Sequence, residues 1–407
     1  VTDRSRDIVL LALLALFTNF AYFVASNGDY TFPDSDTYLV PAYNLLHGHG
    51  FTGDLGFPET IRTPLYSLFL VPFIAFAKSL APVVIAQHLI NVALTIAIYL
   101  FARRRFSRFI ANTSALLFAI DTPVIHYANK VLTETLFTAG LFALVAFVLQ
   151  QRKVITSGIL TGLLVLLRPL AILYFAIAAF FFPKKRVAAY VVLSLLLPIA
   201  WGIRNRVETG VFTISSIAGV NMLLHRAAGT LAIIDAGDFK DDLNDRQQEL
   251  LQDANDVLKD RYHVDDPMTI DPAIRGAYYD KVGTRIVLQH PIGLAMLMAR
   301  GLLVNLFDSD WEAMMVVSHV DASLIQFAIE AYAHALILLA VIGVITLWRN
   351  LAPRLSMMIA LTVLYFLVIS AGGESEARFR VPVTPLITIA AAVGIDAIKR
   401  AAVPVRQ

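Results

Sequence analysis

Two aspartates and an arginine stand out in the first polar stretch of the chain. Asp34 and Asp36 lie in Pro33-Asp34-Ser35-Asp36-Thr37-Tyr38, and Arg62 opens Arg62-Thr63-Pro64-Leu65-Tyr66. Carboxylates at such positions supply general bases, and guanidiniums hold phosphate oxygens. Further candidates follow along the chain: Glu134, Arg168, Arg204 and Arg206, then Arg378 and Arg380 beside Glu374 and Glu376. Each has a competing structural reading. Asp34 could cap the helix that follows it, since Pro-Asp-Ser before an amphipathic run is ordinary N-terminal chemistry. Its closeness to Asp36, in an acidic loop leading to Arg62, favours a functional role. Glu134 sits at the mouth of an apolar run, where an ionisable group is costly unless used or paired. Arg378 and Arg380 could be snorkelling anchors, or could pair with the two neighbouring glutamates. His47 and His49 lack carboxylate partners, which makes a metal site there a weak reading. No strand and helix frame Gly48 and Gly50 as a phosphate loop.

The elements that position these residues are membrane spans. The chain is 57% hydrophobic and 16% charged, with a mean hydropathy of +0.68. That composition, with apolar runs approaching the ~20 residues needed to cross a bilayer, predicts an all-α polytopic membrane protein. The formal charge of +2 gives no case for nucleic acid, because arginines and lysines cluster in short loops beside apolar runs. Those clusters report orientation instead. Arg4 and Arg6 place the N-terminus in the cytoplasm, and the run from Ile8 to Ala25 reads as an anchor rather than a cleaved signal. Cysteine is absent, which excludes disulfides and thiolate metal sites.

About ten spans follow from the pattern: 8–25, 81–102, a third from Phe109, 132–149, 154–167 and 170–182 as a pair hinged at Arg168-Pro169, 187–201, 324–348, 355–371 and 381–398. Arg103, Arg104, Arg105 and Arg108, then Arg152 and Lys153, then Lys184, Lys185 and Arg186 mark cytoplasmic ends. Both termini are expected in the cytoplasm of a multi-pass plasma (inner) membrane protein, with the site facing the periplasm or exterior. Residues 1–407 read as a single integral membrane catalytic domain. Within it, 26–80 forms a first external loop with a juxtamembrane helix from Ser35 to His47, and a re-entrant or interfacial segment from Leu65 to Ala77. Residues 204–320 form a large external region. Its helices are marked by Leu243, Leu250, Leu251, Val257 and Leu258, and by Asp271 as a cap with Pro272 at the first position. Pro291 to Phe307, interrupted by Arg300 and Asn305, reads as interfacial.

The ordered motifs resemble the GT-C superfamily of membrane glycosyltransferases. The run Pro33 to Tyr38, continuing through Ala42, Leu45, Leu46, Gly48 and Gly50-Phe51, is similar to the family's first external loop. Arg62-Thr63-Pro64-Leu65-Tyr66, Leu132-Thr133-Glu134, Leu167-Arg168-Pro169, Trp201-Gly202-Ile203-Arg204-Asn205 and Arg378-Phe379-Arg380-Val381-Pro382 agree in order. The nearest likeness is to the branch of protein O-mannosyltransferases and the lipid A aminoarabinose transferase. The resemblance implies an inverting transfer of a sugar from a polyprenyl phosphate to a hydroxyl acceptor on a lipid, glycan or protein. It places Asp34 at the reaction centre and makes Arg62 similar, one residue out of register, to a basic residue facing the lipid phosphate. Glu134 is similar to a second acidic residue of the family, usually aspartate. The chain departs from larger relatives in having about ten spans and no separate soluble C-terminal domain.

On this reading Asp34, Asp36 and Glu134 are catalytic, and Arg62, Arg168, Arg204, Arg378 and Arg380 bind the donor phosphate. The partners are a polyprenyl-phosphate-linked sugar, membrane lipids and an unidentified acceptor, with no nucleic acid. No cofactor is required if arginines carry the phosphate charge, while a divalent metal stays compatible with the sequence. The alternative is a lipid or lipid-linked sugar flippase without transferase activity. A polar path through the bilayer would be needed, and Gln87, His88 and Asn91 are nearly all that the spans offer.

Overall fold

The computed structural model describes residues 3–151, 153–235, 237–311 and 322–402. Arg152, expected beside Lys153 at a cytoplasmic end, and the 312–320 end of the large loop region lie outside the described residues. Each of the ten expected spans contains helix, but several are too short or too broken to be full crossings, 170–182 holding only a seven-residue α-helix. Among the described residues five helices are long and apolar enough to cross a membrane, or up to seven if each of two bent pairs counts as one crossing. The long ones include α1 (Asp3–Ala25), α4 (Ala81–Arg103) and α10 (Lys184–Thr209). The other two are α15 (Ala322–Thr346) and α17 (Thr384–Ala402), the latter entered through the tight turn Ala377–Val383. The shorter apolar helices are α7 (Glu134–Leu149), α8 (Val154–Leu167), α9 (Tyr174–Phe180) and α16 (Pro353–Ile369). At ~1.5 Å per residue, α8 rises only about 21 Å, short of a ~30 Å hydrocarbon core.

The third expected span is broken. α5 (Arg108–Ala119) and α6 (Thr122–Ala128) meet at a 51° bend. The cause is local: Asp121 accepts a hydrogen bond from Val124 N at 3.1 Å, and Pro123 stands in the first turn. Asp-Thr-Pro is a helix start, so the chain begins a new helix inside the apolar run.

In the first loop, α2 (Asp36–Leu46) and α3 (Pro64–Phe76) pack together, with Tyr38 edge-on to Tyr66 at 5.1 Å between ring centroids. α2 ends where Gly48, at φ 80°, and Gly50, at φ 74°, take the left-handed backbone that glycine enters without strain. The large loop region has a core of its own, with Leu223, Ala254, Leu258, Ile270 and Tyr279 buried together. It is built from helical residues 217–232 (α11), α12 (Phe239–Tyr262) and α13 (Pro272–Gln289), the last capped by Asp271 as expected. Val257 does not join this core; it is 42% exposed, because Leu258 takes the inward position next to it. α14 (Pro291–Phe307) leaves α13 at a 101° corner, too sharp for one continuous crossing. α15 and α17 cross closely: a Cβ on Gly343 would strike Ala390 O, and one on Gly394 would strike Leu339 O. Glycine there lets the two backbones touch, and this seats the helix that leads out of Arg378 and Arg380.

Candidate functional site

The first loop is pinned before its carboxylate is aimed. Ser35 Oγ accepts from Phe32 N at 2.9 Å and donates to Val131 O at 3.0 Å, tying the loop to the segment that enters α7. Ser35, not Asp34, is the N-cap residue of α2, and its side chain does not cap. The Asp34 carboxylate is therefore left for side chains. Arg62 Nη2 donates to Oδ1 at 2.6 Å, and Arg378 Nη1 donates to Oδ2 at 3.0 Å. Thr37 Oγ1 accepts from Arg62 Nε at 2.9 Å and donates to Asp34 O at 2.6 Å, so the arginine is fixed from both sides.

Glu134, the first residue of α7, is fully buried. Arg378 Nε donates to its Oε1, and Arg168 Nη1 lies 2.9 Å from the same oxygen. Arg168 reaches it from the non-helical break between α8 and the turn at Pro169, where φ −143° and ψ 112° turn the chain. That contact lacks the angle of a hydrogen bond, and Arg168 Nη1 is buried with no hydrogen-bond partner. Arg378 thus bridges Asp34 and Glu134. Each guanidinium also lies over an aromatic ring: Arg62 over Tyr38 at 5.0 Å, Arg378 over Phe32 at 4.9 Å and Arg168 over Phe137 at 5.8 Å. Such stacking favours the cationic form in a partly desolvated place.

The structure brings Asp34, Arg62, Glu134, Arg168 and Arg378 together, and leaves the other candidates apart. Asp36 is exposed in the first turn of α2. Arg204 donates to the carbonyls of Glu59 at 2.9 Å and Phe51 at 3.2 Å, holding the first loop against α10. Arg206 is exposed. Arg380 is buried and turned the other way, donating to Asn305 O at 3.2 Å and Leu306 O at 2.7 Å at the C-terminal end of α14. Cationic side chains commonly satisfy such terminal carbonyls. His47 Nδ1 lies 2.8 Å from Tyr43 O, and its ring stacks on that of Tyr43. No group of three or more potential metal ligands exists among the described residues.

Three acidic groups near this cluster, Glu59, Asp308 and Asp310, were not among the sequence candidates, and Glu376 stood there only as a possible pairing partner of Arg378 and Arg380. Glu59 is buried, accepts from Arg62 N at 2.7 Å, and is pushed up to about 7 by burial. The signal was its place three residues before Arg62, a spacing that lets a carboxylate cap the amide that follows. Glu376 lies 3.9 Å from Arg378 Nη1, and burial pushes it up to about 8. Asp310 accepts from Tyr127 Oη, and Asp308 Oδ2 accepts from Ala377 N at 3.0 Å, fixing the turn that carries Glu376 and Arg378. Asp34 is the opposite case: burial raises it, but Arg62 and Arg378 together hold it below the usual carboxylate range.

These shifts carry a sign. Glu59 and Glu376 have raised folded values, so the folded state holds more protons than the unfolded chain between about 4.5 and about 7 for Glu59, and about 8 for Glu376. Their contribution is fully present below the unfolded value and is lost as pH rises. Glu59→Gln is therefore expected to flatten the fall in detergent melting temperature between pH 5 and 7, and Glu376→Gln the fall between pH 6 and 8. Unchanged profiles in both variants would contradict the burial of these carboxyls.

The polar residues inside the spans are committed to structure. Gln87 Oε1 accepts from Tyr66 Oη at 2.7 Å, while its Nε2 donates to Ala128 O at 3.0 Å and Lys130 O at 2.7 Å. His88 pairs with Asn19 at 2.8 Å and Asn129 at 3.2 Å, and Asn91 donates to Val124 O at 3.2 Å. They staple α1 and α4 to the backbone freed by the break in α5–α6. This is the opposite of a continuous polar path.

The fold so described is all-α and polytopic, a membrane-embedded helical bundle with its charged cluster where the loops of one end meet the helices. No family model matches the chain, and no curated protein sequence matches it. Among solved structures it is similar in fold to the oligosaccharyltransferase of Archaeoglobus fulgidus in the apo form. The TM-score is 0.52 at 14% identity, over 98% of this chain and 51% of that one. ArnT from Cupriavidus metallidurans in the apo state also aligns, over 98% of this chain and 78% of that one. Its TM-score of 0.41 at 15% identity is too low to carry an argument. At such identities the likeness is one of fold, and the chain spans about half the length of the archaeal oligosaccharyltransferase chain.

Proposed function

We propose that the protein is an inverting glycosyltransferase that moves a sugar from a polyprenyl-phosphate donor to a hydroxyl acceptor at the external membrane face. One observation carries this reading: Arg62 and Arg378 both hold Asp34, and Arg378 and Arg168 both contact Glu134. Three guanidiniums thus face the carboxylates of Asp34 and Glu134, with Glu376 kept protonated near neutrality by its raised value. The cluster sets three guanidiniums against two ionised carboxylates, and Arg168 Nη1, though ion-paired with Glu134, makes no hydrogen bond. A lipid phosphate at this level satisfies that donor.

The donor's phosphate draws Arg62 and Arg378 toward itself and so away from Asp34. Losing these partners raises the basicity of the Asp34 carboxylate at the moment the donor is in place. Asp34 then accepts the proton of the acceptor hydroxyl. The acceptor oxygen bonds to the anomeric carbon from the face opposite the phosphate, the bond from that carbon to the phosphate oxygen breaks, and the electron pair leaves with the polyprenyl phosphate. The guanidiniums stabilise the charge that builds on that oxygen, which favours the transition state over the ground state.

Arg378→Lys tests the phosphate role with the charge retained. Lysine cannot bridge two carboxylates and a phosphate with a planar fork, so donor affinity is expected to fall by about tenfold to a hundredfold. The measurement is equilibrium binding of a radiolabelled polyprenyl-phosphate sugar to the purified protein. Unchanged affinity would remove Arg378 from the phosphate site. Labelled product formed by the wild-type protein from such donors, with a search across lipid, glycan and protein acceptors, tests the reading as a whole.

A further inference from the structure

α4 is tied through Gln87 to Ala128 O and Lys130 O in the segment that leads into α7, and α7 begins at Glu134 of the carboxylate cluster. They run side by side toward the opposite, basic end of the bundle. Between their far halves lies a groove of about 780 Å³. Alanines at 93, 97 and 143 make its walls concave, and Phe101 and Phe142 line it further along. It contains no carboxylate and ends at Arg104, Arg105 and Gln150. From Ile90 to Phe101 the helix rises about 16 Å at ~1.5 Å per residue, close to the ~15 Å of one leaflet of a ~30 Å core.

The mouth is cationic, with no counter-ion among the described residues. Among the described residues Arg104 and Arg105 form no ion pair, and neither does Arg354, which lines an adjoining recess of about 390 Å³ together with Arg105. Arg105 lies over the Phe101 ring at 3.8 Å and donates to Phe101 O at 3.1 Å, so its guanidinium sits directly above the apolar wall. Burial, and then the charge of Arg104, push Arg105 below its ordinary value, the condition that an anion would relieve.

We propose that this groove holds one acyl chain of an anionic phospholipid from the leaflet opposite the carboxylate cluster, with the lipid phosphate seated on Arg104 and Arg105. The apolar length fits one leaflet, the cations stand at its headgroup level, and the lining has no acidic group to oppose a phosphate. The site is separate from the cluster of Asp34 and Glu134, and its occupant anchors α4 to α7 at the end away from that cluster.

Native mass spectrometry of the full chain, delipidated in detergent and titrated with phosphatidylglycerol, phosphatidylcholine or a polyprenyl monophosphate, tests this. Phosphatidylglycerol is expected to bind in preference to phosphatidylcholine, and the double variant R104Q/R105Q to weaken it about 30-fold, equivalent to about 2 kcal/mol at 1.4 kcal/mol per tenfold. Ala143→Phe, which fills the groove, is expected to exclude it while circular dichroism shows the helices intact; if that variant does not fold, the arginine variant decides. Equal retention of the two phospholipids, or unchanged binding in R104Q/R105Q, overturns the proposal. Preferential binding of the polyprenyl monophosphate that is lost in R104Q/R105Q also overturns it, since the groove would then belong to a prenyl lipid.

Discussion

Asp34→Asn is expected to lower the rate of sugar transfer by about 10²–10⁴-fold, the range for losing a positioned general base, without weakening donor binding. Asparagine keeps the volume of the side chain and an oxygen for one guanidinium, so the loop pinned by Ser35 and Thr37 stays in place. What it loses is the charge that competes with a phosphate for Arg62 and Arg378. Donor affinity is therefore expected to hold or to tighten while kcat falls, a split that a merely structural role would not give. The wild-type pH profile checks the same idea. The acid limb of kcat/KM reports Asp34 in the free protein, where the two arginines hold it low, and the limb of kcat reports it with the phosphate bound. The kcat limb should lie at higher pH. Retained turnover in Asp34→Asn would remove Asp34 as the proton acceptor and leave Glu134 as the ionised carboxylate of the cluster.

The architecture was legible because hydropathy and charge are one-dimensional signals. Runs of the right length, closed by arginine clusters, located ten helical segments, and Asp271-Pro272 announced α13. Breaks within apolar runs were harder to read. Asp121-Thr122-Pro123 carries a cap and a proline, yet the hydropathy around it continues and masks the 51° bend. In the large loop region, periodicity marked a helix but did not rank Val257 against its neighbour Leu258, since adjacent residues lie only about 100° apart and the apolar stripe is about that wide.

Within the cluster, residue type and loop were readable and partner choice was not. Arg378 and Arg380 are separated by one residue in a tight turn, which sends them to different places: the first to Asp34 and Glu134, the second to the carbonyls ending α14. Their spacing is equally compatible with two phosphate ligands. Arg168 was flagged by its place at a proline hinge, but its contact with Glu134 depends on how α7 and α8 pack. The burial that lifts Glu59 and Glu376 likewise belongs to the tertiary structure. A sequence shows that these carboxyls exist and not that water is kept from them.

Removing Glu134 is expected to cost the fold more than any other single change in the cluster. In Glu134→Ala, Arg168 and Arg378 stay buried at 8% and 7% exposure with their shared carboxylate gone. Breaking one side of a buried pair leaves an uncompensated charge, and the loss is about 3–5 kcal/mol. Reversible unfolding by detergent titration, followed by circular dichroism, measures it. Two comparisons separate charge from packing. Glu134→Gln keeps the volume and loses the charge, so a loss close to that of the alanine variant assigns the effect to the ion pairs. The double variant Glu134→Gln, Arg168→Gln removes one of the stranded cations and is expected to recover part of the stability, because two neutral amides can pair where an amide and a lone guanidinium cannot. Additive losses in that double variant would mean that Arg168 and Glu134 do not act on one another.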